Sequence, residues 1–293
     1  MMIYKLLDHI KLKEEEQTLF WQARELSRGK EEEIAYGYMR KNVSYQESMD
    51  ALNAMVQEKL PIETLYFLFF SACAKYLLED YQNKGVSEEI FWDSMKDFRY
   101  KITECQSAKD LFGIFVPGWY DKFFKMNRFA LGRLQYDISA YDNDSIVIEN
   151  HPIHEGDFIL YCHIPAAGPL TPESVLDSLK RAYHFFKDRL KDGVLVVKCC
   201  SWILYPGYQP LFKEGGNLDK FSKNFFLVSH RDLDNFSAAY LIFGKDYRGN
   251  VEELPQDTSL RKKFVQYIKE NGTFGDGSGI ILFDGETIMT YHT

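Results

Sequence analysis

Residues 158–190 read FILYCHIPAAGPLTPESVLDSLKRAYHFFKDRL. The apolar run from Phe158 to Ile164 has the character of a strand, and it breaks at Pro165, which lacks a ladder donor. A Gly/Pro turn follows and a helix begins at PESV. Thr171 is the expected N-cap, Pro172 suits the first helical position, where its missing N–H costs nothing, and Glu173 and Ser174 complete the first turn. A strand that runs straight into a helix start aims backbone amides at the strand's end, which makes an anion site from the main chain alone. A phosphate-bearing ligand is expected at this turn.

Downstream, VLVVKCCSWIL (194–204) is a second apolar strand. A helical crossover between two strands implies that they lie roughly parallel in one sheet. Upstream, RLQYDISAY (133–141) and SIVIEN (145–150) alternate apolar and polar residues, as antiparallel strands over a half-buried face do, with YDNDS as the turn between them. FFLVSH (225–230), GSGIILFD (277–284) and ETIMTYH (286–292) are further expected strands, and RKKFVQYIKEN (261–271) an expected helix. The Gly-rich GDGSGI at 275–280 reads as a turn leading into a strand. In such a mixed sheet a parallel pair leaves its strand C-termini and the helix N-terminus at one edge, where ligands enter.

From Glu14 to about Cys105 the pattern is helical instead, with three- and four-residue spacings in EEEQTLFWQARELS, SYQESMDALNAMVQEKL and SEEIFWDSMKDFRYKITEC. Pro61 opens one helix and Ser87 caps another, so four or five packed helices are expected before the aromatic Pro-Gly turn FVPGWY at 115–120. At 293 residues the chain has room for two cores, and 45% hydrophobic with 27% charged residues marks it as globular. A net charge of −8 with both signs interspersed argues against a nucleic-acid surface. The run from Thr64 to Ala74 is too short to span a bilayer and reads as a buried helix, so no membrane partner is expected. Five cysteines without paired spacing, and no secretory signal, suit a cytoplasmic protein.

GRLQY (132–136), HIPAAGPL (163–170), CSWILYP (200–206) and GDGSGI (275–280) together resemble a family of bacterial two-domain acyltransferases. That resemblance implies an α+β fold: a helical N-terminal domain at 1–118, then at 119–293 a GNAT-like mixed β-sheet domain with flanking helices. It further implies transfer of an acyl group from acetyl-CoA or another acyl-CoA to a small-molecule amine acceptor. In GNAT proteins the acyl chain and pantetheine lie along a splayed strand and the pyrophosphate sits on the following turn. Here those roles fall to Ile164, Ala166, Ala167, Gly168, Leu170 and Thr171. The family's turn reads Gln or Arg, two residues, Gly, one residue, then Gly or Ala, whereas this chain has Pro165, Gly168 and Leu170 at those places. A turn that keeps only the central glycine also suits the alternative, a catalytically inactive GNAT-like protein that binds a ligand or partner.

Amine attack needs a base, and the departing thiolate needs a proton donor. His163 ends the strand just before the turn, and imidazole is the side chain that titrates near neutrality, so His163 is the candidate base. Tyr205, Tyr208 and Ser201 are candidate hydroxyl donors. Trp202 and His230 are candidate acceptor contacts, with Trp202 equally suited to core packing and His230 to a strand leaving the core. Asp137 and Asp142, which flank the first hairpin, can attract a cationic amine or remain solvated. Cys199 and Cys200 point to opposite faces of their strand, and a nucleophilic cysteine beside His163 is the less favoured chemistry. Neither His151 with His154 nor Cys162 with His163 comes with further ligands at diagnostic spacing, so no metal site is expected.

Overall fold

The computed structural model describes residues 2–236, 239–245, 247–271 and 273–291, and the chain divides into two compact units, Met1–Ala130 and Leu131–Thr293. The expected domain boundary at 118/119 lies at the start of the last helix of the first unit. That unit holds α1 (Met2–His9), α2 (Glu14–Ser27), α3 (Lys30–Arg40), α4 (Tyr45–Asn53), α5 (Ile62–Asn83), α6 (Glu88–Met95), α7 (Asp97–Lys109) and α8 (Gly118–Phe124). More helices form than the periodicity suggests, because SEEIFWDSMKDFRYKITEC breaks at Lys96 and because Pro117, with a helical φ, starts α8 where a simple turn was expected. The Thr64–Ala74 run lies in α5, whose Phe67 ring packs edge-on against Phe20, Phe98 and Phe112. Ser87 caps α6 by accepting the Glu89 N–H. No helix among the described residues is long and apolar enough to cross a membrane.

The strands are β1 (Arg128–Leu131), β2 (Leu134–Ala140), β3 (Ile146–Ile148), β4 (His151–Ile153), β5 (Phe158–His163), β6 (Leu195–Ser201), β7 (Phe226–Leu233) and β8 (Phe274–Phe283). Six of them form one sheet in the order β1-β2-β5-β6-β8-β7. The quoted stretch folds as β5, the turn and α9 (Pro172–Phe185), with Thr171 Oγ1 accepting the Ser174 N–H at 3.2 Å, while the helix expected to run to Leu190 gives way to a 3-10 turn at Lys187–Arg189. The β5–β6 pair is parallel and its neighbours are antiparallel. After β6 the chain passes through short 3-10 turns to α10 (Asn217–Ser222), and α11 (Ala239–Phe243) and α12 (Ser259–Asn271) precede β8.

Three expectations change. The strand at 134–140 pairs with β5, while β3 pairs with β4 in a separate two-stranded ribbon. That ribbon buries Ile148 and Ile153 in one cluster with Ile159, Val196, Ile280 and Leu282 of the large sheet, a larger apolar gain than a solvated hairpin would provide. The glycines of GDGSGI lie inside β8, not in a turn, because the chain after β6 presses on them. A Cβ at Gly275 would meet the Tyr205 ring at 2.2 Å, and one at Gly277 the Leu204 carbonyl oxygen at 2.1 Å. Of ETIMTYH, Ile288 makes a single bridge to Phe283 without building a strand, and His292 lies outside the described residues.

Alternation along the strands sorts side chains onto two faces. One face carries Tyr136, Cys162, Cys199 and the β8 glycines. Here α9 docks through Ser178, whose buried hydroxyl donates to the Leu131 carbonyl and accepts from the Leu134 N–H and the Tyr136 hydroxyl. At the far edge, β7 pairs with β8 through a register shift between Leu227 and Ser229. Replacing Gly277 by Ala forces a backbone shift at the β8 crossing and is expected to cost about 3 kcal/mol, read as a lowered denaturation midpoint at unchanged slope.

Candidate active site

The parallel ladder between β5 and β6 contains only Leu160↔Val197 and Tyr161↔Lys198. Both strands continue past it. β5 reaches His163 while still paired with Gln135 of β2, and β6 reaches Ser201 while still paired with Gly277 of β8. The two strands therefore part over their last residues, each held on its outer side. Past the ladder the inner backbone edges of the two strands no longer pair with each other, and the turn that starts α9 leaves from this end of the sheet.

On the face away from α9, Asp137, Tyr161, His163, Lys198, Cys200, Asp276 and Arg231 follow one another across the sheet. His163 Nε2 lies 3.0 Å from Oδ2 of Asp137, whose side chain is only 2% exposed against 19% for His163. With Nε2–H donated to a buried carboxylate, the neutral ring carries its basic lone pair on Nδ1, and the carboxylate stabilises the imidazolium that forms when Nδ1 takes a proton. The Tyr161 ring sits 5.3 Å from that imidazole. Burial, then the Cys200 and Cys199 thiols, push its phenol above the usual range, so it stays protonated. Tyr161 and Cys200 share a side-chain hydrogen bond, and Asp276, which also reaches Cys200, is held by Arg231 through two bonds of 2.9 Å. Burial first and the Asp276 carboxylate second push the Cys200 thiol up, which opposes a nucleophilic role for it.

At the turn, Ala166 and Gly168 are exposed, Ile164, Ala167 and Thr171 are half-buried and Leu170 is buried. Gly168 has φ +95° with open space around it, so its glycine serves the backbone conformation. A cavity of about 490 Å³ adjoins the end of the turn, lined by Leu170, Pro172 and Glu173 with Lys220, Asn224 and Tyr291 opposite.

The other candidates lie on the α9 face. Ser201 caps the following 3-10 turn by accepting the Ile203 N–H at 3.2 Å. Trp202 packs edge-on against Phe212 and Phe264. The Tyr205 hydroxyl donates to Asp232, and the fully buried Tyr208 hydroxyl accepts the Gly275 N–H at 3.1 Å inside an aromatic cluster. His230, paired with Gly277, is exposed on that same face. The structure thus groups His163 with Asp137 and Tyr161, and sets Ser201, Tyr205, Tyr208 and His230 apart from it. Asp142 accepts from Lys198 at 2.7 Å, which lowers its carboxyl and leaves it matched instead of waiting for an amine. Among the described residues no group of three or more His, Cys, Asp or Glu side chains is placed to hold a metal. Tyr161 is absent from the sequence-based candidates, although its two-residue offset places it on the same strand face as His163, whereas nothing local marks Asp137 as the partner of a residue on another strand.

Comparison with known families matches residues 1–126 to the N-acyltransferase N-terminal domain and residues 129–281 to the GNAT-like C-terminal domain. The chain belongs to this two-domain acyltransferase family. Among solved structures, an acyltransferase in complex with decanoyl-CoA and teicoplanin superposes with a TM-score of 0.64 at 17% identity, over 96% of this chain and 99% of that one. An acyltransferase in complex with decanoyl-CoA gives 0.63 at 19% over the same shares, and one with CoA and 10C-teicoplanin gives 0.64 at 16%. At these identities the likeness is one of fold. Comparison with curated proteins finds no match.

In the native protein Cys200 is the half-buried thiol and the other four are buried. Near pH 8 iodoacetamide is expected to label Cys200 first, yet more slowly than in the unfolded chain. Asp276→Asn removes the carboxylate that raises the thiol and is expected to speed that labelling several-fold, followed by mass spectrometry.

Proposed function

We propose that this protein transfers an acyl group from an acyl-CoA thioester directly to an amine of a small-molecule acceptor. What carries the proposal is the parting of β5 from β6 with the His163–Asp137 pair at its mouth. An extended pantetheine has the polar spacing to pair with the inner edges that the two strands leave open, and this brings its thioester to the end of β5. The pyrophosphate then falls on the turn from Ala166 to Thr171 and the nucleotide toward the cavity lined by Leu170, Pro172 and Lys220. Acyltransferases of the same fold hold decanoyl-CoA and CoA, and two of those structures include teicoplanin or an acylated form of it, which supports a small-molecule acceptor.

In the reaction, His163 Nδ1 takes the proton from the attacking amine while Asp137 stabilises the resulting imidazolium. The amine nitrogen bonds to the thioester carbon, the tetrahedral species collapses, and the C–S bond breaks to release CoA thiolate. Tyr161, kept protonated on the same face, is the proton donor we assign to that thiolate, in preference to the engaged hydroxyls of Tyr205 and Tyr208. A binding protein without turnover shares the turn but has no need of a buried carboxylate behind His163.

Acetyl-CoA, decanoyl-CoA or CoA is expected to raise the melting temperature, because a ligand of the native state alone stabilises it. Absence of any shift at millimolar ligand would sink the proposal. His163→Ala should keep CoA binding and lose about 10²–10⁴-fold in kcat. Asp137→Asn should also lower kcat with CoA affinity retained. In the unaltered enzyme the rate should fall as pH drops and the imidazole takes up a proton in advance, and a flat acid limb would remove His163 as the base.

A further inference from the structure

The turn before α9 is poor in donors. Pro165, Pro169 and Pro172 have no N–H, and the Ala167 N–H closes onto the Pro165 carbonyl at 2.7 Å. An anion at such a turn also meets the negative ends of any peptide dipoles that face it. One side chain governs how those dipoles point. Arg133 donates from Nη1 to the Pro165 carbonyl at 2.9 Å, from Nη2 to the Gly168 carbonyl at 2.7 Å and from Nε to the Pro169 carbonyl at 3.2 Å. A planar guanidinium fork is suited to holding several acceptors in one geometry.

Across a trans peptide the C=O and the next N–H point in opposite directions. Drawing the Pro165 and Pro169 carbonyls toward Arg133 therefore turns the Ala166 and Leu170 amides away from it. The third carbonyl, of Gly168, precedes a proline, so holding it withdraws a negative dipole end without spending a donor. Arg133 is itself fixed in place. It lies between Gly132, whose left-handed φ of +77° sets it close against Asp177 and Arg181 of α9, and Leu134, whose N–H is bound by Ser178.

We infer that Arg133 is the positioning residue of the CoA pyrophosphate site, orienting the Ala166 and Leu170 amides toward the anion and holding three carbonyls off it. This rests on the acyl-CoA proposal and accounts for how a turn with Pro165 and Leu170 in place of the family's usual residues keeps the same task. Arg133 touches the turn and acts on the ligand through it. The contribution belongs to the pyrophosphate alone, because pantetheine lies along the strand edges, beyond the turn.

The test is isothermal titration of the full-length protein, unaltered and as Arg133→Met and Arg133→Lys, with CoA and separately with pantetheine, which lacks the pyrophosphate and nucleotide. Arg133→Met, similar in length but without donors, should raise the Kd for CoA about tenfold to a hundredfold and leave that for pantetheine unchanged. Arg133→Lys, which keeps the charge and loses the fork, should fall between. With an acyl-CoA substrate, KM should rise while kcat stays near its original value. Unchanged CoA affinity in Arg133→Met, or equal weakening of CoA and pantetheine, would overturn the inference and leave the acyl-CoA proposal standing. If Arg133→Met does not fold, Arg133→Lys carries the same comparison. Failure of the unaltered protein to bind either ligand would overturn the acyl-CoA proposal and this inference together.

Discussion

Two parallel strands that separate while remaining in one sheet must each be anchored from outside. β5 is held along its length by β2, from Ala140↔Phe158 to Gln135↔His163, and β6 by β8, from Leu195↔Phe283 to Ser201↔Gly277. These antiparallel ladders set the course of each strand, so past Tyr161 and Lys198 β5 follows β2 and β6 follows β8. The same anchoring fixes the candidate side chains. His163 is the last residue of β5 and still lies in register with β2, so its direction is set by a ladder, not by a loop. Asp137 stands two residues along β2 from the position opposite it, close enough for a diagonal contact across the pair.

Much of this was legible locally. The break at Pro165, the cap at Thr171 and the crossover to a parallel β6 follow from residue chemistry within a few positions of each feature. What was not legible depends on partners far along the chain. The parting of β5 and β6 leaves no mark in either strand, because a strand residue has the same propensity whether its inner edge is paired or open. Glycines 275, 277 and 279 read as turn residues until Tyr205, Leu204 and Phe225 are seen to press on them, since a missing side chain serves close approach as well as flexibility. Tyr205 and Tyr208 were plausible donors by position after β6, but the 3-10 turn at Trp202–Leu204 carries them to the face opposite His163. Asp137 stayed ambiguous because an acidic residue in an alternating strand looks the same whether it faces solvent or a histidine.

The two sheet faces divide the work. The α9 face is packed around Ser178 and the aromatic cluster of Tyr208, and the buried hydroxyls of Tyr136, Ser178 and Tyr208 are matched within the protein. The opposite face is apolar where the β3–β4 ribbon covers it, at Ile159, Val196, Ile280 and Leu282, and turns polar toward His163 and Cys200. The hairpin of β3 and β4 thus leaves the polar row at one end of the sheet, and burial there holds Tyr161 and Cys200 in their neutral forms.

The register shift in β7 has a further consequence for the molecule in solution. β7 is an outer strand of the six-stranded sheet, and its outer row of backbone groups is the kind of edge onto which another chain can add a strand. The bulge between Leu227 and Ser229 bends that edge, and the residues beyond it, Ser229, His230, Arg231 and Asp232, are polar and exposed. An incoming strand would have to follow an uneven ladder and displace water from charged side chains. A bent edge lined with charged side chains is one of the devices that disfavour edge-to-edge strand addition.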